Sequence, residues 1–168
     1  MNEQAFSAQW GYFDMVHGVT MRAIGVLADE DLDFRPKQTM RTVKALVYHV
    51  YAAEKALAEA IQMGELGEEA GRELEPESDA GAAGLAEIRS VEDLKSFAER
   101  CHSAAKKALE GISEAELSRM VKSEYGEFTG GQYFTFMYDE HWHHRGQFYT
   151  YLRLLDKEPP SIYSYGNV

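Results

Sequence analysis

At 168 residues, with 45% hydrophobic and 27% charged side chains, the chain has the size and composition of one soluble globular domain. A net charge of −11 excludes the basic surface on which non-specific nucleic-acid binding depends. No apolar run approaches the roughly 18–20 residues that span a bilayer, the first residues lack the features of a signal peptide, and Cys101, the single cysteine, excludes an internal disulfide. The expectation is a cytoplasmic protein with neither nucleic acid nor membrane as a partner.

Residues 3–28 read as a first helix, with Phe6, Trp10, Phe13, His17, Met21, Ile24 and Leu27 on a 3.6-residue period. His17 lies in this stripe and reads as a packed, hydrogen-bonded histidine. The acidic segment 29–36 ends the helix, and Pro36 biases the residue before it away from helical geometry. A second helix over 40–63, with Thr39 as N-cap, buries Val43, Leu46, Val47, Val50, Leu57 and Ile61. His49, the one histidine of this helix, stands near the edge of that face. From 64 to 90, Gly64, Gly67, Gly71, Gly81 and Gly84 interrupt a Glu- and Ala-rich run. This is a long acidic connection with one short helical piece, either a solvated crossover or a cover for a cleft or partner subunit.

Ser90-Val91-Glu92-Asp93 resembles a capping box and opens the third long helix, whose face carries Leu94, Phe97, Cys101, Ala104, Ala105 and Ala108. Cys101 reads as a small core residue. His102 points away from that stripe and receives no role. Ser113-Glu114-Ala115-Glu116 starts a short helix ending near Met120, and 123–128 is a loop or a brief extended piece. Thr129-Gly130-Gly131-Gln132 has the capping-box spacing again and launches the last long helix, which Pro159 and Pro160 stop. The aromatic tail Ile162-Tyr163-Ser164-Tyr165 is expected to pack back onto the body.

The last helix carries the chemistry. Three of the six histidines, His141, His143 and His144, fall within four positions, just after Glu140. Residues four apart share a helical face, so Glu140 and His144 project together and can hold a divalent cation from one helix. Phe134, Met137, Tyr138, His141, Phe148, Leu152 and Leu155 form the buried stripe, with His144 inside it, Glu140 at its edge and His143 exposed. Gly146 in mid-helix suggests a close approach by another backbone or a ligand. Four long helices without a strand pattern make an all-α four-helix bundle with a long connection between its second and third helices. Such bundles build metal sites from facing helices, and His49 opposite Glu140 and His144 completes a His/Glu/His set.

The segment His143-His144-Arg145-Gly146-Gln147, followed by Tyr151-Leu152-Arg153 and then Pro159-Pro160, resembles the DinB family of metal-dependent bundles. The stretch from Arg35-Pro36 through His49 to Glu54 is similar to that family's second-helix region. The resemblance implies an up-down-down-up bundle, often a homodimer, with a nickel- or zinc-type divalent site. It also implies kinship to bacillithiol S-transferases and mycothiol-dependent maleylpyruvate isomerase. Most of the family carries His-x-x-x-His where this chain has Glu140 and His144; the mycothiol-dependent isomerases are similar in using a His, a Glu and a His. His141, paired with His144 at i, i+3, is the alternative third ligand.

The expected function is a metalloenzyme whose divalent ion, held by His49, Glu140 and His144, activates a low-molecular-weight thiol for S-transfer. Arg145 or Gln147 would orient the ligands or substrate. The alternatives are a metal-dependent hydrolase acting on another small molecule, and a non-catalytic, stress-related metal-binding scaffold.

Overall fold

A computed structural model describes residues 3–163. Four long helices, α1 (Glu3–Ile24), α2 (Val43–Met63), α5 (Val91–Leu109) and α7 (Gly130–Leu154), form the bundle. The connection after α2 holds two short helices, α3 (Glu68–Glu73) and α4 (Asp79–Ala86), rather than one, and α6 (Glu114–Ser118) follows α5. The region read as a loop is a hairpin, with β1 (Met120–Ser123) antiparallel to β2 (Gly126–Thr129). Leu66 and Gly64 bond to its Lys122, which fastens the hairpin to the end of α2.

Cross-helix contacts fix the direction of each element. Phe6 meets Phe134 and Phe13 meets His141, so α1 and α7 run parallel. His49 meets His144 and Glu54 meets His141, so α2 runs against α7. Tyr48 stacks on Phe97 and Glu54 bonds to His102, so α2 and α5 run parallel. The order is up-down-down-up, and it explains the long connection. Two parallel neighbours require a crossover back along the bundle.

Local chemistry sets the helix ends. The N-cap of α2 is Thr42, not Thr39: its hydroxyl accepts from Ala45 N at 3.2 Å. The next free amides, of Val43 and Lys44, are taken by the carbonyls of Phe34 and Leu32 in the preceding loop. Capping boxes close at Ser113–Glu116 and Thr129–Gln132. At Ser90 only half of the box forms, because Asp93 accepts from Arg89 N instead. Asp156, at φ 57°, ends α7 several residues before the prolines. Ile162 packs partly on the core and Tyr163 is exposed, while Ser164 and Tyr165 lie outside the described residues.

The core has two apolar halves with a polar waist. One half gathers Val19, Leu46, Tyr51, Leu94 and Phe148, and the other gathers Phe13, Ile61, Leu109, Phe134 and Met137. Where each long helix passes from one half to the other it places a polar side chain: His17, Glu54, His102 and His141, all buried. Among the described residues no helix is long and apolar enough to cross a membrane.

Candidate metal centre

Near one edge of this waist the bundle brings His49, Glu140 and His144 together, with one ligand atom of each within 4.8 Å of the others. His49 comes from α2, where it is buried on a face otherwise apolar. Glu140 and His144 stand one turn apart on α7. Glu140 Oε2 lies 3.1 Å from His144 Nε2 and 3.3 Å from His49 Nε2, and the two rings meet edge to face at 5.0 Å.

The tautomers are set from outside. His49 Nδ1–H donates to the Leu74 carbonyl at 2.8 Å, and His144 Nδ1–H donates to Gln147 Oε1 at 2.9 Å. Each Nε2 therefore turns a lone pair toward Glu140. The carboxylate oxygen between them is buried, and it has no donor to bond while both rings are neutral. Three acceptors converging without a donor repel one another unless positive charge lies among them. A divalent cation of the kind that takes imidazole and carboxylate ligands fits this set, with the second-shell bonds such ligands require. Burial alone would raise the Glu140 carboxyl, but hydrogen bonds and positive charge from His144 and His49 in their protonated form hold it far below the usual carboxylate range. For His49, burial lowers the pKa, and Glu140 with the Leu74 carbonyl outweighs it, so the balance is upward.

Leu74 and Glu75 belong to the long connection, which thus closes over His49. Glu75 Oε2 sits 3.8 Å from His49 Nδ1 and 2.5 Å from Arg41. Gln147 borders a cleft of about 310 Å³ lined also by Met40, Arg41, Leu46, Thr150 and Tyr151. Of the two residues expected to orient the ligands, Gln147 does so. Arg145 is buried and lies 3.9 Å over the Trp142 ring.

His141 is not in this group. Its Nε2–H donates to Glu54 Oε2 at 2.9 Å, and Glu54, with no exposed surface, accepts on Oε1 from His102 Nδ1–H at 2.7 Å. His102 Nε2–H donates onward to Asp14 at 2.9 Å, and its ring stacks on His17 at 3.8 Å. The reading that left His102 without a role is therefore corrected. The stripe of α5 runs Leu94, Ala98, His102, Ala105, Leu109, and His102 is buried within it because Glu54 waits across the helix interface. Burial works against charge on His102, but Glu54 and Asp14 prevail and its pKa is raised. Glu54, despite burial, is held down to about 2 by His102 and His141. His17, bonded to Tyr51, is pushed down to about 3 by burial and by the positive charge of His102.

Of two other readings, that of Gly146 changes and that of Cys101 as a core residue holds. A Cβ built at Gly146 would meet nothing within 4 Å, so no backbone or side chain approaches it; the crowded glycine of this helix is Gly130, whose Cβ would lie 2.6 Å from the Glu116 carbonyl. Cys101 is a buried core thiol, pushed up to about 12 by burial.

An up-down-down-up bundle with a His/Glu/His donor set between its second and last long helices defines a class of helical proteins able to hold a metal ion. Within that class the chain belongs to the DinB family, which it matches over residues 1–167. The crystal structure of a DinB-like protein from Bacillus cereus superposes with a TM-score of 0.72 at 17% identity, covering 96% of this chain and 97% of that one. One from Bacillus subtilis gives 0.68 at 18% identity, covering 89% and 97%. At these identities the likeness carries the fold alone. No curated protein matches the sequence.

Proposed function

We propose that this DinB-family chain is a divalent-metal enzyme in which His49, Glu140 and His144 hold a nickel or zinc ion and a low-molecular-weight thiol is the co-substrate of an S-transfer reaction. The observation that carries this reading is the grouping of two imidazole nitrogens and one buried carboxylate oxygen within 4.8 Å of one another. When bound, such an ion supplies Lewis acidity that lowers the pKa of a thiol at its open position. The chain's own contribution is orientation. Leu74 and Gln147 keep the imidazole protons on Nδ1, and the connection bearing Leu74 and Glu75 screens His49 from water. The 310 Å³ cleft beside Gln147 has room for a small thiol, with apolar walls from Met40, Leu46 and Tyr151 and the Arg41 guanidinium at its rim. By family likeness the enzyme is a cytoplasmic homodimer, and the exposed Met15 and Trp142 on the neighbouring helices α1 and α7 offer an apolar contact.

Cobalt-substituted protein tests the thiol half of the proposal. Addition of a small thiol should change the visible absorption of the bound cobalt, through a new sulfur ligand. An unchanged spectrum at saturating thiol would contradict S-transfer chemistry and leave a hydrolase or a non-catalytic metal site.

A further inference from the structure

The three residues assigned above do not explain the buried cluster beside them. A carboxylate with no exposed surface is costly unless its oxygens are fully hydrogen-bonded, and Glu54 receives its bonds from two different helices, α5 and α7. Glu54 itself is five residues beyond His49 on α2, and His141 lies between Glu140 and His144 on α7. The bond from His141 to Glu54 therefore joins the two segments that carry the candidate ligands. Around it the α2–α7 contact is made by Leu46, Val47 and Phe148, apolar groups whose attraction has no preferred direction. A charge-assisted hydrogen bond does have one.

The clamp is rigid from both sides. His102 offers both ring N–H groups to carboxylates, Glu54 and Asp14, so the Glu54 carboxylate cannot turn without breaking a bond to α5. On α7, His141 Nδ1 is buried without a hydrogen-bond partner, so Glu54 supplies the one hydrogen bond that aims this ring, while Phe13 and Tyr51 meet it edge to face. A slide of α7 by one residue, roughly 1.5 Å along its axis, would break the bond and carry Glu140 and His144 away from His49.

We propose that Glu54 is a positioning residue for the His49–Glu140–His144 site, setting the register of α2 against α7 through His141. The inference rests on the reading of those three residues as metal ligands. Its test compares wild type with Glu54→Gln, Glu54→Asp and Leu109→Ala, the last a truncation in the far half of the core. Zinc affinity is measured by competition with a chromophoric chelator, and ligand geometry by the visible spectrum of the cobalt form.

The expected result is a loss of zinc affinity of about tenfold or more in both Glu54 variants, with a displaced cobalt band. Asp is too short by one methylene to reach both rings, so keeping the charge does not restore the site, and it carries the test if the Gln variant fails to fold. Leu109→Ala should keep wild-type affinity while losing stability. Unchanged zinc affinity and cobalt spectrum in the Glu54 variants would overturn the positioning role and leave the metal site intact. If wild type binds neither zinc nor cobalt, the ligand reading falls, and the register claim is judged on the metal-free protein by imidazole NMR. Displaced His49 and His144 ring signals in Glu54→Gln would support it, and unmoved signals would overturn it.

Discussion

Two histidine–carboxylate groups lie side by side in this bundle, and they are built on opposite rules. In the inner one, around Glu54, every carboxylate–imidazole contact pairs a donor with an acceptor, and a protonated His102 supplies the positive charge. In the outer one, around Glu140, two imidazoles with their Nδ1–H groups bonded elsewhere present lone pairs to a carboxylate oxygen whenever both rings are neutral. The inner group completes itself. The outer group has the donor set to hold a cation. Residue type alone does not distinguish them; the direction of the ring N–H groups does.

The largest effect that would sharpen this contrast is loss of the inner carboxylate. Glu54→Ala strips buried His102 of one of its two carboxylates and His141 of its hydrogen bond, and should cost about 3–5 kcal/mol, measured by urea unfolding. Metal should act on the outer group alone. At a hundredfold excess over Kd it stabilises by about 2.7 kcal/mol, a Tm rise of roughly 5–10 °C for a chain of this size, absent in His144→Ala. A metal-independent Tm in wild type would break the contrast.

Acid should act through the inner group. His17 is held neutral in the fold down to about 3, so its contribution is present above its unfolded pKa near 6.5 and is lost as pH falls toward 3. Glu54 adds a second window, present above about 4.5 and lost as pH falls through about 2. His102 has the opposite sign. Its raised pKa gives stability that is full below about 6.5 and is lost as pH rises through the folded value. Stability of metal-free His17→Phe should therefore be flatter between pH 6.5 and 3 than that of wild type. Smaller still, Glu140→Gln in the metal-free protein should cost about 1 kcal/mol, since it removes the carboxylate that pairs with His49 and His144 when either ring is protonated. Gly146→Ala touches neither group and meets no neighbour, so it should stabilise α7 by about 0.5–1 kcal/mol. Destabilisation instead would mean a contact at Gly146 that the fold does not contain.

Much of the fold was legible because local rules govern it. The 3.6-residue stripes marked the long helices, and Thr129 and Ser113 announced the starts of α7 and of the short α6. The i, i+4 pair Glu140 and His144 was legible for the same reason. What escaped was long-range pairing. Nothing near His102 marks it as buried, since its partner Glu54 is 48 residues away. A signal was present nonetheless: Glu54 falls on the stripe Val47, Val50, Glu54, Leu57, Ile61, and a carboxylate in such a stripe demands a buried cationic partner. Gly146 misled for the complementary reason, because a glycine's crowding is a property of neighbours that the sequence does not place.

The most direct test is the metal content of purified protein, by mass spectrometry, for wild type and for His49→Ala, Glu140→Ala, His141→Ala and His144→Ala. The account predicts near-stoichiometric nickel or zinc in wild type after incubation with either ion. It predicts loss with His49, Glu140 or His144 removed, and retention, at weaker affinity, without His141. Metal that survives removal of Glu140 but not of His141, or a wild type that takes up none, would contradict it.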